Sequence, residues 1–469
     1  MATGNRRKKG QEAKTEDSER NSVQPPNSAM VGKAKREGSI LPDNQCYIHI
    51  PRIEGVVSDY NIQEAMKAVI RNKGGPGIDG ITTDEIKGIM QKWWPKIKQA
   101  ILEGRYCPSP VKRVEILKPD RSGVRKLGIP TVIDRIIQQA LYQELVYIFE
   151  ATFSESSYGF RLGRKAQQAV LKAQEYIQEE CEWVVDIDLE NFFDTVNHDI
   201  LMSRVARKVK DKKILLLIRR FLQAGVMENG LVRVTEEGCP QGGPLSPLLS
   251  NIMLDDLDKE LEERGLRFAR YADDCNIYVK SEKAGQRVMQ SITKFLTTKL
   301  KLKVNEQKSA VAHPWERKFL GFTFRKGKPG KIVVHEGRVK RLKDKIRGLI
   351  KKMRGGNLTN SIRKLIMPIT RGWANYFWIA EERGIFASLD GWIRRKMRGI
   401  QWRQWKKPKT RLKNLRALGI SEHTASKHAY SSKGPWRMAR TFGMHKALSN
   451  SVIESMGYIP MMTLVCARS

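Results

Sequence analysis

Cysteine is scarce and dispersed. The six, at positions 46, 107, 181, 239, 275 and 466, form no C-x-x-C pair, so neither a zinc ribbon nor a disulfide framework is indicated and a reducing compartment fits. No apolar run reaches membrane-spanning length, and no amphipathic anchor stands out. The first residues lack an apolar signal core and carry acids that a transit peptide avoids. Acid is also in deficit. Fifty Asp and Glu face 86 Lys and Arg, a formal charge of +36 over 469 residues. An excess of that size points to a polyanion, nucleic acid before a membrane surface. The 40% apolar content supplies cores for roughly two to four domains.

Two acidic stretches organise the rest. Arg270-Tyr271-Ala272-Asp273-Asp274-Cys275-Asn276-Ile277-Tyr278-Val279 reads as two short strands around a tight turn. Adjacent carboxylates at a tip repel unless a cation sits there. Mg²⁺ takes such oxygens and leaves positions for phosphates. A bare Asp pair is ordinarily a solvated turn; a third carboxylate changes that reading. Residues 182–194 supply it, as a short strand ending in Asp186 and Asp188, two apart and therefore on one strand face. Two strands of one sheet can so converge three carboxylates on a pair of metals, the arrangement for in-line nucleotidyl transfer.

Along the chain, residues 1–42 have the composition of a disordered basic tail. Ile62, Met66, Val69 and Ile70 mark an amphipathic helix, and the glycines of 74–80 a tight loop. A strand over 114–118, a turn at 120–123 and a return over 124–130 make a hairpin with Lys118 and Arg125 on its two arms. Cations there suit β- and γ-phosphate oxygens. A long apolar helix follows over 134–149. Arg161 and Arg164, in a serine-rich loop ahead of another helix, suit phosphate contacts. Helices are expected over 200–222, from the Pro- and Gly-rich segment 238–247 through Leu257, and over 285–300. Residues 319–324 alternate aromatics as a strand does. Beyond residue 338 three basic helical stretches, 338–353, 359–379 and 386–405, interleave Trp and Tyr with Arg. That pattern suits core packing and also base stacking.

The Tyr271-Ala272-Asp273-Asp274 and Asp188-Leu189-Glu190-Asn191-Phe192-Phe193-Asp194 boxes resemble the palm of a reverse transcriptase. From about residue 45 onward the ordered blocks resemble the bacterial group II intron-encoded reverse transcriptases and maturases, in the short, class C-like form without an endonuclease domain. The resemblance implies an α+β right-hand polymerase. Its parts would be an N-terminal extension and fingers over 43–181, an antiparallel-sheet palm over 182–324, a helical thumb over 325–406 and a small basic DNA-binding module over 407–469. It implies RNA-templated DNA synthesis with two Mg²⁺ held at Asp188, Leu189, Asp273 and Asp274. Lys308 would stand near the leaving pyrophosphate. Lys118, Arg125, Gln241 and the steric-gate ring Phe193 would meet the dNTP, with Phe192 pointing into the core. Arg161, Arg164 and the primer-grip Gly321 would meet template and primer. Intron RNA, a template–primer duplex, target DNA and dNTPs are the implied partners, in a bacterial cytoplasm near the nucleoid and without a membrane. Splicing assistance and target-primed insertion complete the implied role. A retron or diversity-generating reverse transcriptase, or a non-catalytic splicing factor, are the alternatives.

Overall fold

The computed structural model describes residues 49–117, 123–228, 231–233, 235–326, 330–353 and 355–468. The tail 1–42 and Lys118 lie outside the described residues. The architecture is α+β. The described strands are β1 (Val111–Leu117), β2 (Val124–Ile129), β3 (Trp183–Ile187), β4 (Val226–Glu228), β5 (Leu231–Arg233), β6 (Arg267–Tyr271), β7 (Asp274–Val279), β8 (Ala310–Ala312), β9 (Phe322–Phe324) and β10 (Ile332–Val334). Their sheets are ordered β2-β1-β4-β5, β10-β9 and β6-β7-β3-β8. No helix among the described residues is long and apolar enough to cross a membrane.

The chain divides into two compact units. The first draws on residues 1–165, 187–275 and 287–309; the second on 166–186, 276–286 and 310–469.

The first unit is built around the helix Val132–Glu150. It is buried on nearly every side, as its apolar run demands. Thr131 caps it by accepting from Asp134 N at 3.1 Å, and Tyr106 donates to the Asp134 carboxylate at 2.7 Å. Burial raises the Asp134 carboxyl above the usual range, opposed by those hydrogen bonds. The helix Asp59–Asn72 packs on it behind its Ser58 cap. The antiparallel hairpin β1–β2 sets Ile116 opposite Arg125. The helix expected over 200–222 is instead two, His198–Lys208 and Lys212–Gln223. Asp211 breaks it, because its carboxylate caps the second helix, accepting from Lys213 N at 2.8 Å, and also accepts from Ile53 N at 2.7 Å.

In the second unit β3 pairs antiparallel with β8, Asp186 opposite Ala310. The strand expected over 319–324 is shorter. Phe319 and Phe322 exchange both backbone hydrogen bonds at 2.9 Å around Leu320 and Gly321, whose φ values are 53° and 90°. That is a two-residue hairpin turn, which needs positive φ at both positions. The helix expected over 359–379 contains a π-helical turn, Ile362–Ile366, ahead of Met367–Phe377. Pro368 at its start lacks an N–H, which removes one helical hydrogen bond there.

The helix Gly384–Gln404 is the axis of this unit. Trp402 and Trp405 share a core with Leu415, Ile420, Met438, Met444 and Leu448. Asp390, 1% exposed, accepts from Tyr458 Oη at 2.6 Å, Met461 N at 2.9 Å and Met462 N at 3.1 Å. Residues 407–469 are thus folded onto the preceding helices; the expected boundary at 406 cuts through one shared core.

Candidate active site

The first unit carries Asp188, Asp273, Asp274, Lys308, Arg125, Phe193 and Gln241. Ala272 and Asp273 form the turn between β6 and β7. Asp273 is half-buried and Asp274 exposed at the head of β7. Burial, and then the negative charge of Asp188, raise the Asp273 carboxyl above its ordinary range; Arg125 and Arg270 pull the other way.

Asp188 lies just past the end of β3, where the chain is pinned. Its N–H donates to Ser309 Oγ at 3.0 Å, and its carbonyl accepts from Asn305 N at 2.8 Å. Leu189 makes a bridge to Val304. Lys308 Nζ stands 3.3 Å from Asp188 Oδ1, in an exposed pair worth little to stability. In the second unit Asp186, two residues earlier, is engaged otherwise: Arg317 donates to it at 2.9 and 2.6 Å.

Among the described residues, no three carboxylate, His or Cys side chains gather closely enough to hold a metal by themselves. The expected three-carboxylate cage is therefore not closed, with Asp274 out in solvent. The donors nonetheless fit a hard divalent cation. They are oxygens only, and burial together with the charge of Asp188 makes the ionised form of Asp273 costly, a cost that a bound cation would offset.

Three segments of the first unit are stitched together by backbone hydrogen bonds. Asn191, at φ 47°, turns the chain into the short helix Phe192–Thr195. Phe192 is buried, 3% exposed, while Phe193 is half-buried and meets it edge-on at 5.2 Å. Phe193 O accepts from Cys239 N at 2.6 Å, and Val196 O from Gly238 N at 2.8 Å. The same loop reaches β2, since Gly128 N donates to Gln241 O at 2.9 Å. Gly242 is required there: its φ is +129° and a Cβ would lie 2.6 Å from Gly128 O. Arg125, exposed on β2, is thereby on the strand that this loop holds.

The two loop arginines differ. Arg161 is 4% exposed; it pairs with Glu150 at 2.8 Å and donates to the carbonyls of Ser154, Ser157 and Glu150. Its head is spent on bracing its own loop, so it is not presented to a template as expected. Arg164 is partly exposed, pairs with Glu155 and lies 5.6 Å over the Tyr158 ring. Gly321 belongs to the second unit; at its φ of +90° a Cβ would meet the Arg338 side chain. The second unit also bears crowded cations on aromatic rings. Arg395 and Lys396 lie 3.5 and 4.2 Å from the centroid of Trp436, which is 40% exposed. Burial and then neighbouring arginines lower Lys396 from its ordinary value. What the sequence reading missed is Arg270, fully buried beside the turn. Its charge directly between the apolar Phe268-Ala269 and the Tyr271-Ala272 of the turn was the available signal.

Comparison with known proteins gives two family matches. Residues 116–324 match the reverse transcriptase (RNA-dependent DNA polymerase) family, and residues 339–419 the group II intron maturase-specific domain. The chain is 32% identical to protein YkfC of Escherichia coli over 54% of this chain and 76% of that one. It is 31% identical to the group II intron-encoded protein LtrA of Lactococcus lactis subsp. cremoris, over 61% of this chain and 60% of LtrA. It is also 31% identical to the putative COX1/OXI3 intron 2 protein of Saccharomyces cerevisiae, over 54% of this chain and 29% of that protein. The chain thus spans less than two thirds of the length of the latter two relatives.

Proposed function

The chain belongs to the reverse transcriptases and maturases encoded by group II introns, and on that premise we propose that it copies RNA into DNA by two-metal nucleotidyl transfer. The observation that carries the reading is the family match over residues 116–324, which takes in Asp188, Asp273 and Asp274, all three carried by one compact unit. Asp188, Asp273 and Asp274, with Leu189 alongside, would hold two Mg²⁺. Such ions, when bound, activate the primer 3′-hydroxyl and screen the triphosphate. Arg125 and Lys118 would grip the triphosphate oxygens. Gln241 would stand beside the incoming nucleotide, and Phe193 beneath its sugar. Lys308, paired with Asp188 at rest, turns to the leaving pyrophosphate. Arg164 and Gly321 touch template or primer.

The right-hand arrangement goes with this reading, with fingers over 43–181, palm over 182–324 and thumb over 325–406. The basic segment 407–469 shares the thumb's core and acts with it as one helical grip on nucleic acid. Binding of its own intron RNA, splicing assistance and target-primed insertion into DNA follow from the family. The test is primer extension on an RNA template. The parent should extend, and Asp273→Asn should lose roughly 10³-fold or more in rate while retaining RNA binding. An inactive parent, or a fully active Asp273→Asn, refutes the reading. Sequencing RNA that co-purifies from cells tests the intron partner.

A further inference from the structure

The turn that presents Asp273 is held by a side chain outside the proposed chemistry. Arg270 and Asp258 are both fully buried. They pair in bidentate fashion, Nε donating to Oδ1 at 2.6 Å and Nη2 to Oδ2 at 2.5 Å. A buried pair of this kind is often no more stabilising than apolar residues of the same volume, so stability alone does not account for it.

The remaining donors of the guanidinium supply the reason. Nη1 donates to the Ala272 carbonyl at 2.9 Å and to Asn251 Oδ1 at 3.1 Å, and Nη2 to Ser157 Oγ at 2.8 Å. Asn251 is 1% exposed and donates in turn to Gly159 O at 2.8 Å. Gly159 lies so close to the turn that a Cβ there would overlap the Ala272 backbone. Main-chain ties fix the same place: Tyr158 N donates to Arg270 O at 2.8 Å, and Arg270 N to Ser156 O at 2.9 Å.

Everything converges on Ala272, whose φ is +58°. An L-residue in that region is strained, and it stays there only where its surroundings over-determine it. A relaxed Ala272 would rotate the peptide that leads into Asp273 and swing the carboxylate away.

We propose that Arg270 is a positioning residue for the carboxylate turn. Acting through the Ala272 carbonyl, with Asn251 and Gly159 as the opposing wall, it fixes Asp273 in the orientation that nucleotidyl transfer uses. The proposal rests on the polymerase reading above.

Arg270→Ala by itself strands the Asp258 charge in the interior and invites unfolding. Two other variants separate positioning from stability. Arg270→Met with Asp258→Leu removes the pair as a unit, and Asn251→Ala keeps the pair and removes the wall's hydrogen bonds. Thermal melting and template–primer affinity report on the fold. Single-turnover incorporation against dNTP concentration separates the maximal rate from nucleotide affinity. Displacing a reacting group by about 1 Å costs on the order of 10²-fold, which is the drop in maximal rate expected of the double variant. Asn251→Ala should show a smaller drop, and both should keep near-parental dNTP half-saturation. A parental maximal rate in either folded variant overturns the proposal. A parent unable to extend any primer would instead overturn the polymerase reading, and the proposal with it.

Discussion

Removing residues 407–469 should cost far more than a binding surface. Trp402 and Trp405, 1% and 7% exposed, owe part of that burial to Leu415, Met438, Met444 and Leu448. Each indole buries about 150–250 Å² at about 25 cal/mol per Å²; if the segment supplies half of that, the two rings lose on the order of 5 kcal/mol. Typical domains have only about 5–15 kcal/mol in total, so the shortened helical unit should be marginal or unfolded. A point variant reaches the same joint more gently. Asp390→Ala leaves Tyr458 Oη, Met461 N and Met462 N without their acceptor, at roughly 1–3 kcal/mol for each buried donor. Asp390→Asn keeps an acceptor and should cost less. Urea denaturation of the full chain followed by Trp fluorescence, alongside primer extension and DNA binding, is the measurement. The expectation is that stability, extension and DNA binding fall together in the order Asp390→Asn, Asp390→Ala, truncation. A truncated protein with the parent's denaturation midpoint and full extension would refute the shared-core argument.

Three further outcomes are expected. Phe193→Val should admit rNTPs while keeping much of its dNTP incorporation, whereas Phe192→Ala should chiefly destabilise the fold by about 3–5 kcal/mol; single-nucleotide incorporation and denaturation distinguish them. In divalent-free buffer at neutral pH, Asp273→Asn should melt higher than the parent, because it removes a half-buried negative charge facing Asp188; added Mg²⁺ should stabilise the parent more than the variant, as calorimetry would register. Nucleic-acid affinity should fall steeply with salt, and replacing both Arg395 and Lys396 by Ala should flatten the log–log slope by up to about 2 on duplex, read by titration at several salt concentrations.

Much of the site was legible because its chemistry is written in short, local strings. Two acids at a strand–turn–strand and a third at a strand end are patterns of local spacing, whereas the roles of the aromatic pair came from the resemblance; in the structure Phe192 is buried and Phe193 half-buried. The excess of Lys and Arg likewise named the class of partner, because long-range charge needs no fold to be counted. Tertiary structure decided the rest. It spent Arg161 on Glu150 and on carbonyls of its own loop, which no sequence pattern announces. It split one expected helix at Asp211, whose carboxylate serves a helix end and Ile53 at once. It joined residues 407–469 to the helix before them through Trp402, Trp405 and Asp390, although the sequence reading set them apart as a small basic module. And it brought Arg270, Asp258, Asn251 and Gly159 from distant positions around a single strained alanine. Local propensity and charge are properties of neighbours in the chain; hydrogen-bond partners and shared cores are properties of neighbours in space, and only folding makes those.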